Sequence, residues 1–380
     1  MGILDIFKRK NRQSNEDTKD SKIISYSISI SEPNPLTKAE IDSQIVPVEK
    51  RIKAAIPSKH GLFPHEILAL DYAHTFYTHE NSFQGFWWYK YGVRDVQAVL
   101  SSLNDRGFLQ IGDIGSALEK QNVSVLKEVL RKYDLKVSGK KVELIERVID
   151  NIPEEEIKAL FPKRTYALTE LGKAALEEEA YVPYIHKHSI EDLDIWSLNQ
   201  IVHTQPYMPY RDKIWGYLNH RCTKHLKNGD LGLYRNSRYS MSNFLIEEDK
   251  YLDALGMLAE VVFLDLSGTW NGFDIRHLNI FAKSFFPYSE SLCKTAPGVI
   301  STITNCQEKL HFSDEELKVA LTERMEKLTT PIQLFSVHEC VQIFFLERDQ
   351  NTEALTKMYT KAEGSFRQKY PNISLEKLDF

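Results

Sequence analysis

The chain has 380 residues, 42% of them hydrophobic and 27% charged, with a net charge of −5 at neutral pH. That length exceeds one ordinary core and predicts two or three domains of a soluble globular protein. The negative balance excludes a protein that coats nucleic acid with its whole surface, so any such binding has to come from a local basic patch.

Cys222, Cys293, Cys306 and Cys340 are widely spaced, with no CxxC pair. This argues against a disulfide framework and for a reducing, cytoplasmic setting. No apolar run approaches the roughly 18 residues of a spanning helix, so stable membrane insertion is not expected. The opening MGILDIFKRKNR sets Ile3, Leu4, Ile6 and Phe7 before Lys8, Arg9, Lys10 and Arg12. The plainer reading is a frayed basic terminus; the other is a short amphipathic segment touching a membrane surface or a partner. Myristoylation is not supported, because residue 6 is Ile where that signal wants Ser or Thr. Residues 13–24 are polar and mixed in charge, as in a linker. The alternation in ISYSISIS predicts a strand ahead of the Pro-rich SEPNP. Residues 1–54 therefore read as a flexible basic N-terminus and linker, with order beginning near Ala55.

Phe63-Pro64-His65-Glu66 starts a helix carrying Ile67, Leu68, Leu70 and Tyr72, with proline at an acceptable early position. After the aromatic-rich SFQGFWWYKYGV, residues 93–106 set Val93, Val96, Val99, Leu100 and Leu103 at helical spacing. Arg106-Gly107 stops that helix, and Phe108-Leu109-Gln110-Ile111 predicts a short strand. About fifty residues later, Thr165-Tyr166-Ala167-Leu168 predicts a second strand and Thr169 the N-cap of a further helix. This order of elements resembles a winged helix-turn-helix domain, in which a phrase like Tyr-x-Leu-Thr-x-x-Gly follows; Tyr166, Leu168, Thr169 and Gly172 match it. The resemblance makes residues 93–106 the candidate recognition helix, with Arg94, Gln97, Ser101 and Asn104 on its non-core positions. One departure is plain. The two strands are joined by roughly fifty residues rather than by a tight wing.

Those residues hold VSVLKEVLRKYDLKVSGKKVELIERVIDNI, starting at Val123. Val125, Leu126, Val129 and Leu130 make one helical stripe, with Tyr133 a turn later; Leu144, Ile145, Val148, Ile149 and Ile152 make another. Leu135 and Val137 flank Lys136 in an extended link, and Gly139 supplies a turn suited to positive φ. Two short helices, an extended link and a Gly-Lys-Lys turn closely resemble the SAP domain family over residues 123–152. The resemblance rests on Leu126, Leu130, Leu135-Lys136-Val137, Ser138-Gly139-Lys140-Lys141 and the run Glu143-Leu144-Ile145-Glu146-Arg147. It implies DNA binding largely through backbone phosphates, often in AT-rich regions. Related helix-extended-helix units bind RNA or other proteins, so RNA and single strands stay open beside the favoured duplex.

The charges point the same way. Residues 120–152 carry Lys120, Lys127, Arg131, Lys132, Lys136, Lys140, Lys141 and Arg147 against Glu128, Asp134, Glu143, Glu146 and Asp150. A basic patch therefore sits on an acidic chain. Amides near Gly139 and at the start of the second helix can face an anion, with lysines gripping neighbouring phosphates. Neutralising four or five phosphates predicts a slope of log affinity on log salt near −4. The alternative is a solvated hairpin with ordinary surface lysines. A unit this small buries little apolar surface alone, which suggests that the paired strands hold its two ends. It would then sit where a wing reaches DNA, beside the groove that the recognition helix reads.

From Ser189 onward the pattern is mostly helical. Ser313-Asp314-Glu315-Glu316 predicts a capping box. Residues 240–265, with Phe244, Leu245, Leu252, Leu255, Leu258, Ala259 and Val262, predict a buried helix or helical pair. YLDALGMLAEVVFLDLSG resembles one helix of a tetratricopeptide-like array, but no second copy follows at a period of about 34 residues. Trp196, Tyr207, Tyr210, Trp215 and Tyr217 near Arg211 and Lys213 read better as core and rim than as a platform for single strands. His220, Cys222 and His225 with His338 and Cys340 offer zinc ligands only if the fold joins them. Glu191, Asp192 and Asp194 are better explained as helix-start acids than as a cation site.

No nucleotide-loop, zinc-protease or nucleophile-elbow motif occurs, so neither a cofactor nor an enzymatic activity is prompted. The expected architecture is mainly α. A winged-helix-like domain (55–112 plus 162–182) with a short β hairpin carries a SAP-like helix-extended-helix insert (113–161), followed by an all-helical C-terminal domain (186–380). The expected function is DNA binding, with phosphates met by Lys127, Arg131, Lys136, Gly139, Lys140, Lys141 and Arg147, and bases by Arg94, Gln97, Ser101 and Asn104. The helical domain would serve a protein partner or self-association. Two alternatives stand beside this: a helical interaction scaffold without nucleic-acid binding, and a DNA-processing enzyme whose active site is scattered in sequence.

Overall fold

The computed structural model describes residues 44–204 and 206–376. The N-terminal segment 1–12 and the strand expected at ISYSISIS lie outside the described residues. Ordered secondary structure starts earlier than Ala55, with a turn of helix at Val48–Arg51 tied down by the Val48 N–H donating to the Gly92 carbonyl at 2.9 Å. Among the described residues no helix is long and apolar enough to cross a membrane.

The chain is mainly helical. Helix α1 (Pro64–Tyr72) begins with Pro64, whose missing N–H costs nothing at a first helical position. Helix α2 (Val96–Asp105) starts later than the spacing suggests, because Asp95 caps it: its Oδ1 accepts from the Ala98 N–H at 2.8 Å. Val96, Leu100 and Leu103 form its buried face. Strands β1 (Leu109–Ile111) and β2 (Tyr166–Leu168) pair antiparallel, Leu109 opposite Leu168 and Ile111 opposite Tyr166. On the other side of β2, Tyr77 bridges to Thr165 and the Thr78 N–H donates to the Arg164 carbonyl at 3.0 Å. Three short extended pieces therefore lie side by side, of which the sequence showed two.

Between β1 and β2 stand α3 (Ile114–Glu119), α4 (Val123–Lys132), α5 (Lys141–Asn151) and α6 (Glu154–Leu160). After β2, helix α7 (Glu170–Glu178) is capped by Thr169, whose Oγ1 accepts from the Gly172 N–H at 3.1 Å and donates to the Gly107 carbonyl at 2.7 Å. A Cβ at Gly172 would sit 2.1 Å from the Phe108 carbonyl oxygen. Glycine is what lets α7 lie against the end of β1, and that close approach explains the last position of the Tyr166–Gly172 phrase.

Among the described residues, the remaining helices longer than one turn are α8 (Tyr181–Lys187), α9 (Ile195–Thr204), α10 (Tyr210–Lys227), α11 (Leu231–Ile246), α12 (Tyr251–Ser267), α13 (Pro297–Leu310), α14 (Asp314–Met325), α15 (Val337–Arg348) and α16 (Thr352–Lys369). Residues 240–265 resolve into the packed pair α11 and α12. Leu252, expected inside, is 59% exposed: it falls in the first turn of α12, at the margin of the stripe formed by the buried Ala254, Leu255 and Leu258. Ser313 caps α14 as its spacing requires, with its N–H donating to Glu316 Oε2 at 2.8 Å. Glu260, on α12, is buried and accepts from Arg238 Nη2 at 2.5 Å, Tyr234 Oη at 2.7 Å and Arg324 Nε at 2.7 Å. Burial pushes its carboxyl upward, but these donors outweigh it and hold the group below the ordinary carboxylate value.

Among the described residues, three apolar clusters hold the fold. One runs from Leu62 through α1, α2 and both strands, then on through α8 to α11 as far as Leu264. A second joins Leu245 to Phe366. The third is confined to residues 118–157.

One buried group in the first cluster sets a pH dependence. His65 stacks on Trp196 with ring centroids 5.6 Å apart, and burial drives its pKa from 6.5 down to about 4. The unfolded chain binds this proton more readily, so the contribution of His65 is intact above pH 6.5 and is lost as pH falls toward 4. The loss from this ring is about 2 kcal/mol by pH 5. Denaturant melts at pH 7 and pH 5 check it, with His65→Phe expected to reduce the acid-side slope by about one proton. An unchanged slope would assign the loss to other groups.

Candidate nucleic-acid interface

The hairpin is built on the third cluster. Leu126, Val129 and Leu130 of α4 meet Leu144, Ile145 and Val148 of α5, closed by Ile152. Leu118 from α3 and Ile157 from α6 complete the core, and neither helix was evident from periodicity. Ile149 is 43% exposed rather than buried. It lies at the margin of the stripe, four residues beyond Ile145, which is itself at the edge of the core.

The link between α4 and α5 alternates in and out. Leu135 and Val137 pack on the core while Lys136 and Ser138 face solvent. Asp134 (φ 52°) turns the chain out of α4, and the Leu135 N–H donates back to the Leu130 carbonyl at 2.8 Å. Arg147 fixes the far side: its Nη1 donates to the Lys136 carbonyl at 2.7 Å and the Ser138 carbonyl at 3.2 Å. Gly139 takes φ 130°, and a Cβ there would lie 2.3 Å from Glu143 Oε2. The positive φ is what requires glycine at this position, since the Glu143 side chain could swing away from a Cβ.

Lys140 then occupies the N-cap of α5. An ammonium has donors and no acceptor, so this side chain cannot satisfy the first amides of the helix. The Lys140 N–H itself is taken by Glu143 Oε2 at 3.0 Å. What remains is an eleven-residue helix whose N-terminal amides have no side-chain acceptor and whose rim carries exposed lysine. Such an end favours an anion.

The predicted phosphate contacts divide into two groups. Lys136, Gly139, Lys140 and Lys141 meet at the link and the start of α5, and the guanidinium of Arg147 reaches the same corner. The Lys141 ammonium also donates to the Glu119 carbonyl at the end of α3. Lys127 and Arg131, four apart on α4, share a face of their own. Among the described residues, none of Lys127, Arg131, Lys136, Lys140, Lys141 and Arg147 pairs with a carboxylate; Lys158 of α6, which does, is held by Glu154 and Glu155.

The four residues proposed for bases lie on α2 and its approach. Arg94 lies over the Trp88 ring, 3.6 Å from its centroid. Gln97 turns inward: its Nε2 donates to the Thr78 carbonyl at 3.1 Å and to Tyr166 Oη at 3.0 Å. Ser101 is exposed and Asn104 half-buried. Helix α2 carries no cation of its own, and Arg106 just beyond it is paired with Glu66 at 2.5 Å.

Elsewhere, Asp194 Oδ1 accepts from the Ser197 N–H at 2.8 Å at the start of α9, and Glu191 takes Arg221 Nε at 2.5 Å. Cys222 lies buried with its sulfur 3.5 Å from that of Met241. Among the described residues no three His, Cys, Asp or Glu side chains gather as a metal-binding group. Of the aromatic set, Trp196 is core, Tyr210, Trp215 and Tyr217 pack on its edge, and Tyr207 is fully exposed.

Residues 117–153 match the SAP domain family model. The match begins inside α3, taking in Leu118, and ends just past α5. SAP domains are DNA-binding modules, and the match supports a nucleic-acid-binding role for this chain. No curated protein matches it.

Proposed function

We propose that this protein binds duplex DNA, mainly through backbone phosphates, using the corner formed by Lys136, Gly139, Lys140, Lys141 and Arg147, with Lys127 and Arg131 on the adjoining helix. The observation that carries this is the start of α5. Its amides lack a side-chain acceptor, lysine stands where Ser or Asp would cap, and the surrounding cations have no carboxylate partners among the described residues. An anion satisfies all three features at once.

The hairpin is mounted, in this reading, in place of the wing of a winged-helix-like domain (55–112 plus 162–182). Supporting this are the order α1, extended Phe76–Thr78, a turn of helix at Phe86–Tyr89, α2, β1 and β2, and the insertion of residues 113–161 between the two paired strands. Base contacts then fall to Arg94, Ser101 and Asn104, with Gln97 holding α2 against β2 from behind. The helices from residue 186 onward form the partner or self-association domain. A cytoplasmic setting agrees with four buried, unpaired cysteines.

Fluorescence anisotropy with a labelled duplex, titrated with salt, tests the proposal. The four or five phosphates met by the hairpin are expected to contribute about −4 to the slope of log affinity on log salt. Absence of binding at low salt would overturn it. Preference for single-stranded DNA or RNA in the same assay would move the assignment to that ligand.

A further inference from the structure

The basic surface does not end with the hairpin. Lys141 reaches the Glu119 carbonyl, and the next residue, Lys120, reaches back to the Thr75 carbonyl with its ammonium 5.1 Å from the centroid of the Tyr77 ring. At the other seam of the insert, the Lys163 ammonium lies 5.5 Å from the same centroid. Two lysines separated by the whole hairpin thus share one aromatic ring. The backbone beneath that ring is fixed, because Tyr77 bridges to Thr165 beside β2. Arg164 follows, half-buried, with its Nη1 donating to the Phe161 carbonyl at 2.5 Å.

We infer that this seam is a second phosphate-binding patch, continuous with the corner at Lys140 and Lys141, so that DNA held by the hairpin is also held against the sheet. Both seam lysines are exposed, and neither pairs with a carboxylate among the described residues. Glu119 is exposed beside Lys120, yet its side chain engages neither lysine. Two ammonium groups drawn to one ring gather positive charge that a bound anion would offset, as the ring does only in part. Lys120 stands at the C-cap of α3 and Lys163 two residues before the Thr165 bridge, so both stems leave ordered backbone. The patch also spans both ends of the insert, so a strand crossing it fixes the orientation of the hairpin on the sheet. This inference rests on the DNA-binding reading above.

The test uses the full chain, a labelled duplex and three variants. Lys120→Gln/Lys163→Gln is expected to weaken binding about tenfold at moderate salt and to make the salt slope shallower by about 2. Lys158→Gln/Lys173→Gln removes the same net charge from two surface ion pairs elsewhere, and it should leave the slope unchanged. A seam variant that keeps the wild-type slope, while Lys140→Glu/Lys141→Glu loses binding, overturns the seam patch and leaves the hairpin assignment standing. An equal change in the seam and control variants also overturns it, since net charge alone would then be responsible. A wild-type chain that binds no nucleic acid removes both.

Discussion

Reversing two charges at the start of α5, Lys140→Glu/Lys141→Glu, is expected to weaken duplex binding by on the order of 100-fold at low salt and to flatten the salt dependence by about 2 in slope. Both residues flank helix amides without a side-chain acceptor, so the substitution removes two cations and also places carboxylates where an anion would sit. The fold should tolerate it. Lys140 is exposed, and Lys141 contributes one hydrogen bond to the Glu119 carbonyl, a contact of about 1 kcal/mol. Circular dichroism and melting temperature close to wild type, together with lost binding, would tie the loss to charge. Binding as tight as wild type would refute the phosphate assignment.

Leu144→Ala should produce a different kind of loss. Leu144 is fully buried in a cluster of nine buried side chains that is separate from the other two. Truncating it costs about 2–5 kcal/mol, a large share of what so small a core supplies. Opening should therefore be local, with hydrogen-exchange protection falling across residues 114–161 while α10 to α16 keep theirs. DNA binding should fall with it, although no charge has changed. Uniform loss of protection along the chain would show instead that the hairpin is not an independently opening unit.

The parts of this fold that were readable in advance share a property. The hairpin helices announce themselves by apolar residues at three- and four-residue spacing, and Gly139 and Thr169 mark turn and cap through chemistry confined to a few neighbours. Helices α3 and α6 escaped because six or seven residues are too few to show a period. Leu252 and Ile149 were misplaced for a related reason: each sits at the margin of an apolar stripe, where spacing alone does not say how far the neighbouring helix reaches.

The amino-acid sequence by itself determined the helical hairpin, its lysine-rich turn, the strands at either end of the insert, and hence a basic module on an acidic chain. Those features are local, and local spacing is what a sequence displays. Only the tertiary structure decided which cations gather and which polar groups are already engaged. It brought Lys120 and Lys163 to one tyrosine, turned Gln97 toward β2, and set Arg147 on the link carbonyls. Each of these depends on contacts between segments whose own patterns carry no trace of one another.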